Sequence, residues 1–220
     1  MDKRPIVVFG AKKMAALVAY CLQHDSEHQV VAFTVDRQFM GSDSMEGLPI
    51  VAFEDLLTQY PPSGFRMIHA IGYWRINGVR KEKYLKTKQM GYEHINYVSS
   101  AAKVWPNVSL GDNVIVFEHS VVQPFCRVGS NTIIRSSAHI SHHSTVGDHV
   151  FIGAGVVGGG SCRVGDQVFV GVGSVMRDGI RMHERSFLGA GAVLVSDTEA
   201  DAVYVGNPAR KTGKSSLEVT

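Results

Sequence analysis

The sequence has little cysteine, no long apolar run and almost no net charge. The three cysteines, Cys21, Cys126 and Cys162, are odd in number and lack metal-ligand spacing, so we expect reduced thiols. No apolar stretch approaches the roughly 18 residues that a membrane helix needs, and the apolar run before Gly10 is too short for a signal peptide. The net charge is +2, and acidic and basic residues are interspersed, which is not typical of a nucleic-acid or membrane surface. These absences predict a cytoplasmic protein that binds neither nucleic acid nor membrane.

Residues 1–100 alternate between strand patterns and helix patterns. The segments PIVVFG, QVVAFTVD and RMIHAIG are typical of short buried strands, and HINYV is predicted to be a fourth. Between them, KKMAALVAYCLQH, FEDLLTQY and INGVRKEKYLKTKQMG are predicted helices. This alternation predicts an α/β unit with a small parallel sheet and helices on its faces. Ligands of such sheets bind beyond the carboxyl ends of the strands, which here are Gly10, Asp36 and Gly72.

From about residue 104 the sequence repeats with a period of six. Small or apolar residues recur in fifteen consecutive hexads from Val108 to Ala192. A second apolar series lies two positions later, from Leu110 to Leu194, and only Gly158 interrupts it. Such a repeat is typical of a parallel β-helix, in which three hexads close one triangular coil. The pattern therefore predicts a prism of about five coils.

A coil of three hexads places the outward side chains in three columns, two of which are apolar. The members of the columns are Ile115, Ile133, Phe151, Phe169 and Phe187; Val121, His139, Val157, Val175 and Val193; and Ser109, Arg127, Thr145, Arg163 and Arg181. A monomer would expose both apolar columns, which soluble proteins avoid outside interfaces. We therefore predict a closed homo-oligomer in which three prisms pack side by side.

The segment HISHHSTV, residues 139–146, holds three of the ten histidines. In the coil register His139 falls in the second outward column, whereas His142 and His143 fall at a turn. Gly160 lies one coil beyond His142, and we expect this glycine to uncover the histidine and to leave main-chain N–H groups open to a ligand. A histidine in that place is a candidate general base toward a thioester, with an N–H near Gly160 as oxyanion donor. Solvated turn residues, a packed interface residue at His139 and a zinc site are the alternatives.

The chain as a whole resembles a known family of enzymes. The segments VVFGAKKMA, FTVD, WPNVSLGDN, ISHHSTVGDHVFIG and VYVGNPARK are similar to sugar acyltransferases of the sialic acid O-acetyltransferase-like family. Within that family the sequence is closest in type to N-acetyltransferases that modify nucleotide-linked 4-amino-sugars. The resemblance implies a Rossmann-like domain for the nucleotide sugar at 1–100 and a left-handed β-helix acyltransferase domain at 101–197. A tail at 198–220 is expected to fold back near CoA.

The resemblance also implies a reaction. An acetyl group would pass from acetyl-CoA, as co-substrate, to the amino group of a nucleotide-linked amino-dideoxy sugar. The product would serve the synthesis of O-antigen, a part of lipopolysaccharide, or of another surface glycan. Active sites are expected between the subunits of a homotrimer, and no metal is expected. An O-acetyltransferase of the sialic acid type, a metal-bearing or non-catalytic β-helix protein and a nucleotide-sensing module remain alternatives.

Individual residues are matched by the same resemblance. His142 corresponds to the catalytic base, and His143 stands where some relatives carry a glutamate that orients the base. The residues expected to contact CoA are Gly160, Ala190, Gly206, Asn207, Arg210 and Lys211. The residues expected to hold the nucleotide sugar are Gly10, Lys12, Lys13, Asp36 and Gly72. The loop GAKKMA lacks the second glycine of the dinucleotide fingerprint, so dinucleotide binding is poorly supported.

Overall fold

The computed structural model describes residues 2–219, and its first part is built around one five-stranded sheet. The strands are β1 (Ile6–Phe9), β2 (Val30–Val35), β3 (Ser44–Met45), β4 (Leu48–Ala52) and β5 (Arg66–His69). They lie in the order β3-β4-β2-β1-β5, with β3 antiparallel to β4 and the other pairs parallel. Because β1 is packed on both faces, all four of its apolar side chains are buried.

Three helices accompany this sheet: α1 (Lys13–His24), α2 (Leu56–Gln59) and α3 (Gly78–Gln89). Short 3₁₀ turns cover Arg37–Phe39, Phe53–Asp55 and Ser216–Glu218. The predicted helices at α1 and α3 are confirmed, and α1 buries the side chains that recur at helical spacing. Among residues 2–219 no helix has both the length and the apolar character needed to cross a bilayer.

The segment HINYV is not a strand of the first sheet, so that prediction is wrong. His94 forms only an isolated bridge with Met67, and Tyr97–Val98 pairs with the following prism instead. The reason is that Ile95 and Tyr97 are buried in the cluster where the sheet and the prism meet. The sheet takes its further strands, β3 and β4, from SMEGLPIVA. This segment is not among the predicted strands.

Two-residue parallel strands of the second part form three sheets, which are the faces of a prism; one sheet is extended by Arg210–Ser215, which runs antiparallel to Ala202–Val205. The covered face contains Tyr97–Val98, Ile115–Val116, Ile133–Ile134, Phe151–Ile152, Phe169–Val170 and Phe187–Leu188, followed by the longer strands Ala202–Val205 and Arg210–Ser215. The valine face contains Lys103–Val104, Val121–Val122, His139–Ile140, Val157–Gly158, Val175–Met176 and Val193–Leu194. The arginine face contains Ser109–Leu110, Arg127–Val128, Thr145–Val146, Arg163–Val164 and Arg181–Met182.

The interior of the prism is filled by the two apolar series of the repeat. From Val114 to Ala192 and from Val116 to Leu194, every member of each series is buried. Cys126 and Cys162 are among them, and both are free thiols. The hexapeptide repeat therefore folds as predicted into a parallel β-helix, because each hexad points the same two positions inward.

The first apolar column is not exposed in a single chain, so the prediction that it forms a subunit interface is wrong. Its side chains are buried or half-buried because the α/β unit lies on them and shares their apolar cluster. The ring of Tyr73 contacts Phe151 and Phe169, with centroid distances of 5.2 and 4.6 Å. The second column differs, since Val157 is 45% and Val175 38% exposed.

A buried arginine fixes the α/β unit on the prism. Arg80 of α3 is fully buried, and all of its hydrogen-bond acceptors are neutral oxygens. Three of these acceptors are the main-chain carbonyls of Asn131, His149 and Val150 in the prism. A buried cation without such partners would cost several kcal/mol, so the hydrogen bonds make the docking of α3 specific.

Candidate functional site

His142 and His143 lie on the corner between the valine face and the arginine face. This histidine corner consists of residues 123–125, 141–143, 159–161 and 177–179 in successive coils. Both side chains are exposed. The main-chain N–H of His142 donates to Gln123 Oε1 at 2.9 Å, and that of His143 donates to the carbonyl of Pro124 at 3.3 Å. The corner therefore presents two imidazoles on a hydrogen-bonded backbone.

The imidazole of His142 lies directly against Gly160, one coil further along the prism. A Cβ atom at Gly160 would approach His142 Cε1 to 2.8 Å and Nε2 to 3.0 Å. A Cβ does not come as close as 2.8 Å to a non-bonded carbon, so any side chain at this position would displace the ring. The stacking deduced from the coil register is correct. Its physical reason differs from the expected one, because the glycine makes room for the imidazole rather than for a ligand.

The main-chain N–H groups beside His142 are not open to a ligand, which corrects the expectation from the sequence. Gly160 N–H donates to Asp178 Oδ1 at 2.5 Å, and Ser161 N–H donates to the carbonyl of His142 at 2.9 Å. The same cap recurs on another corner, where Asp148 Oδ1 accepts from Ser130 N–H at 2.6 Å. Asp178 is thus part of a repeated corner cap. Gly160 N–H could stabilise an oxyanion only after Asp178 moves away.

The two adjacent histidines contact each other through their rings. Nδ1 of His142 and Nδ1 of His143 are 3.1 Å apart, and the ring planes are almost perpendicular at 85°. The ring of His143 also stacks on Phe125, with a centroid distance of 4.7 Å. The position that carries an orienting acid in some relatives is therefore occupied here by a second imidazole in hydrogen-bonding contact with the first.

The strand-end residues expected to hold the nucleotide sugar lie along one edge of the sheet. Gly10, Asp36 and Gly72 follow the adjacent parallel strands β1, β2 and β5. Gly10 has φ of 135°, and a Cβ there would lie 3.1 Å from both Ala15 Cβ and the carbonyl of Ala70, so the turn itself requires glycine. Around Gly72 the space is open, with nothing within 4 Å of an added Cβ.

Asp36 is not a free carboxylate at this edge. Its Oδ1 accepts a hydrogen bond of 2.5 Å from Lys83 Nζ on α3, and both side chains are largely buried. Lys12 is the N-cap of α1 and Lys13 is its first residue, and both are exposed. The edge therefore combines open space, two exposed lysines and one paired carboxylate.

A cleft of about 310 Å³ lies between α1 and the prism, and Lys13 is one of its lining residues. The others are Met14, Leu17, Arg135 and Phe151. The half-buried guanidinium of Arg135 lies 4.3 Å from the centroid of the Phe117 ring and donates to Met14 Sδ. Burial lowers the pKa of Arg135, and the nearby carboxylate of Glu118 opposes that shift. Two cations facing one partly apolar cleft are suited to an anionic ligand.

Arg135 was not identified as a candidate from the sequence. It stands on the corner between the covered face and the valine face, here called the glycine corner (residues 117–119, 135–137, 153–155, 171–173 and 189–191). The three later coils carry glycine at the matching position, at Gly153, Gly171 and Gly189. An arginine in a column of glycines departs from the repeat, and this departure could have identified Arg135 from the sequence. Its relation to Lys13 depends on where α1 packs, which the repeat does not encode.

The two residues expected along the pantetheine arm do not meet within one chain. Gly160 is on the histidine corner, whereas Ala190 is on the glycine corner, at the opposite edge of the valine face. A cleft containing both would need the histidine corner of one copy against the glycine corner of another. In a single chain the residues expected for this site are therefore divided between two separate corners of the prism.

The C-terminal tail packs back onto the prism beside Ala190. The carbonyl of Gly206 accepts from Val193 N–H at 3.0 Å, and Ala209 N–H donates to the carbonyl of Val193 at 2.8 Å. The turn that contains Gly206 and Asn207 is therefore held against the last strand of the valine face. This placement agrees with the expectation that the tail folds back.

The two tail cations differ in their surroundings. Lys211 Nζ lies 2.5 Å from Glu199 Oε2, and this carboxylate raises the pKa of the lysine. Arg210 is exposed and donates to the adjacent carbonyl of Ala209 at 3.3 Å. Lys211 is committed to a neighbour, so Arg210 is the better candidate of the two for a phosphate group.

In the part of the chain that the structure describes, no three side chains of histidine, cysteine, aspartate or glutamate converge as they would around a metal ion. The zinc alternative has no candidate ligand set among these residues.

Comparison with protein families matches residues 125–157 to the bacterial transferase hexapeptide family (six repeats). None of the curated proteins matches the sequence. Among solved structures, the chain is similar to a His-to-Asn variant of perosamine N-acetyltransferase from Caulobacter crescentus, in complex with CoA and GDP-perosamine. That match has 26% identity and a TM-score of 0.88, and it covers 96% of this chain and 97% of the other.

Two further structures share the fold over almost the whole chain. The acetyltransferase domain of PglB from Neisseria gonorrhoeae FA1090, in complex with acetyl coenzyme A, has 24% identity and a TM-score of 0.88, with 96% and 100% of the chains covered. WeeI from Acinetobacter baumannii AYE has 21% identity and a TM-score of 0.82, with 94% and 99% covered. Together with the family match, these similarities confirm the resemblance to hexapeptide-repeat sugar acyltransferases.

Proposed function

We propose that this protein transfers the acetyl group of acetyl-CoA to the amino group of a nucleotide-linked amino sugar. The observation that carries the proposal is the exposed imidazole of His142, seated on Gly160 at a prism corner. The prism belongs to a fold that matches an amino-sugar N-acetyltransferase over 96% of the chain. That enzyme was crystallised with CoA and a GDP-linked amino sugar. The match to an N-acetyltransferase favours an amine over a hydroxyl as the acceptor.

The chemistry is direct transfer without an acyl-enzyme. The sugar amine attacks the thioester carbonyl, a C–N bond forms, the C–S bond breaks, and CoA leaves as a thiolate, which takes up from His142 the proton that the amine has lost. His142 takes the proton that the amine loses, which is the role of a general base and contributes roughly 10²- to 10⁴-fold in rate. His142 Nε2 is the atom suited to this step, because Nδ1 is occupied by the contact with His143.

The complete site is shared between two copies of the chain. The histidine corner and the glycine corner with Ala190 lie on opposite edges of the valine face, which is apolar and partly exposed at Val157 and Val175. Packing valine faces around a threefold axis buries this surface and brings unlike corners of neighbouring copies together. A homotrimer with three sites, each completed by a neighbour, follows from this arrangement.

The nucleotide sugar is held by the α/β unit. We assign residues 1–100 to a Rossmann-like domain, 101–197 to a left-handed β-helix of five coils and 198–220 to the tail beside CoA. The strand ends at Gly10, Asp36 and Gly72 face the nucleotide. The cleft with Lys13 and Arg135 suits the diphosphate, because cations in partly apolar surroundings bind phosphate oxygens strongly. On the CoA side, exposed Arg210 is the phosphate partner.

Turnover of defined substrates tests this function. The purified protein is incubated with acetyl-CoA and, separately, with UDP-, dTDP- and GDP-linked 4-amino-sugars, and the free thiol of CoA is followed together with the mass of the sugar product. One of the amino sugars is expected to gain a single acetyl group at a rate that depends on His142. The corresponding sugars with a hydroxyl in place of the amine are assayed in parallel, and release of thiol only with these would contradict the proposal.

A further inference from the structure

We infer that His143 is a positioning residue that holds His142 in the tautomer required of a base. The inference rests on the proposed function and starts from the Nδ1–Nδ1 separation of 3.1 Å between the two rings. A hydrogen bond at this distance needs one nitrogen that carries a proton and one that does not. Only two arrangements of the neutral pair satisfy that requirement.

The two arrangements have opposite chemical consequences. If His142 donates from Nδ1, its Nε2 carries a lone pair and can take the proton of the sugar amine. If His142 accepts at Nδ1, its Nε2 already carries a proton and the ring cannot act as a base. A base at His142 therefore requires His143 to be the acceptor, with the proton of His143 on its own Nε2. The second imidazole thereby does for the tautomer what a carboxylate does in a Ser-His-Asp triad.

The acceptor is itself held in place before substrate binds. His143 has φ of 59°, in the left-handed region, and its main-chain N–H is bonded to Pro124. Its ring stacks on Phe125 with an interplanar angle of 28°. Because backbone and ring of His143 are both fixed, the direction of the Nδ1–Nδ1 bond is fixed as well. On the far side, Gly160 limits the movement of His142. The exposed base is thus flanked by a partner ring on one side and by bare backbone on the other.

An imidazole differs from a carboxylate in one respect that can be measured. It directs the Nδ1 proton without adding a negative charge, so it stabilises the imidazolium formed during transfer less than a carboxylate does. A glutamate at position 143 is therefore expected to support the reaction at least as well as the histidine. An asparagine is shorter and is expected not to reach His142 Nδ1, although asparagine tolerates the left-handed conformation well.

Three variants separate positioning from a structural role. His143→Asn is expected to lower kcat by about 10-fold to 100-fold, the range found when the hydrogen-bond partner of a metal-bound histidine is removed, with an unchanged KM for acetyl-CoA. His143→Glu is expected to have a kcat at least equal to that of the wild type. His24→Asn is the matched control, because His24 is an exposed histidine whose ring stacks on an aromatic side chain, Tyr20, at the end of α1 and away from both corners, and its kcat is expected to be unchanged. Equal kcat in His143→Asn and wild type, or a kcat of His143→Glu below that of the wild type, would overturn the inference.

Nitrogen-15 NMR of histidine-labelled protein gives a readout that does not depend on turnover. The His142 ring is assigned by its absence in His142→Asn, and Nδ1 is expected to be protonated and Nε2 bare at neutral pH. In His143→Asn the two tautomers of His142 are expected to mix. A wild-type His142 with its proton on Nε2 would overturn the inference even if the protein acetylates sugars. Full turnover by His142→Asn would instead remove the base from the proposed function and leave the measured tautomer unaffected.

Discussion

His142 lies directly against Gly160, since a Cβ on the glycine would come within 2.8 Å of the imidazole. The two residues lie on consecutive coils of the prism, and the main chain of the later coil packs against the imidazole ring of the earlier one. The position of the candidate base is therefore limited by backbone atoms, without a side chain. The same contact makes the first prediction specific.

Gly160→Ala is expected to abolish most of the activity without unfolding the protein. The backbone of Gly160 is not in the left-handed region, so alanine is tolerated conformationally, but its methyl group must push His142 aside. A loss of about 10²-fold or more in kcat/KM is expected, comparable to removal of the base itself. Gly41→Ala is the control, because nothing lies within 4 Å of a Cβ there. Activity of Gly160→Ala equal to that of Gly41→Ala, at the same melting temperature, would show that the ring position does not matter.

Arg135→Gln is expected to weaken binding of the nucleotide sugar and not of acetyl-CoA. Loss of a charge-assisted hydrogen bond to a phosphate costs about 1.5–3 kcal/mol, which corresponds to roughly a 10- to 100-fold increase in KM for the sugar. Steady-state kinetics with each substrate varied in turn measures the two KM values. Arg127→Gln, an exposed arginine on another face, serves as control. A rise in the KM for acetyl-CoA instead would place CoA in this cleft.

Val175→Asp is expected to separate the proposed trimer and to remove activity together with it. Val175 is 38% exposed and pairs with Val157 and Val193 in the valine face, so a single chain tolerates the charge whereas a buried interface does not. Light scattering is expected to give three times the chain mass of 24.0 kDa for the wild type and one chain mass for the variant. Thr145→Asp, on the arginine face, is expected to remain trimeric. An active monomeric variant would show that one chain holds a complete site.

Stability is expected to fall as the pH decreases from about 6.5 to about 4. Burial lowers the pKa of His149 to about 4 and that of His94 to about 4, below the ordinary value of 6.5. In that interval the unfolded chain binds more protons than the folded one, so acid favours unfolding, by on the order of 3 kcal/mol for each fully affected histidine. Urea unfolding at several pH values measures the slope.

His149→Asn is expected to reduce that slope. His149 accepts from Asn131 Nδ2 at 2.9 Å, and Asn131 in turn accepts from Asn113, so asparagine continues an existing ladder. The left-handed φ of 62° also suits asparagine. The free energy of unfolding near pH 7 is expected to change little. A slope identical to that of the wild type would mean that His149 does not contribute to the acid sensitivity.

The prism could be predicted from the sequence because its information is repeated. Each hexad points the same two positions inward, so Val114 and Ala192 occupy equivalent environments although 13 hexads separate them. The two outward apolar columns could also be predicted from the spacing, but the spacing does not show which part of the molecule covers each column. Both columns are apolar, and only the position of Tyr73 and the rest of the α/β unit shows that one is covered by the chain itself.

The site was predictable only as far as the coil register extends. The spacing between His142 and Gly160 places them on neighbouring coils, and the structure confirms it. The carboxylate of Asp178 on Gly160 N–H and the contact with His143 depend on side-chain torsions, which spacing does not contain. Arg135 depends in addition on how two separate units pack.

One assay tests the central claim most directly: acetylation of a nucleotide-linked 4-amino-sugar by wild-type protein and by His142→Asn, side by side, with product mass as readout. The account predicts one added acetyl group on the amine for the wild type and a rate lower by about 10²-fold or more for the variant. Equal rates for the two proteins, or no acetylated amine with any of the UDP-, dTDP- and GDP-linked sugars, would contradict it.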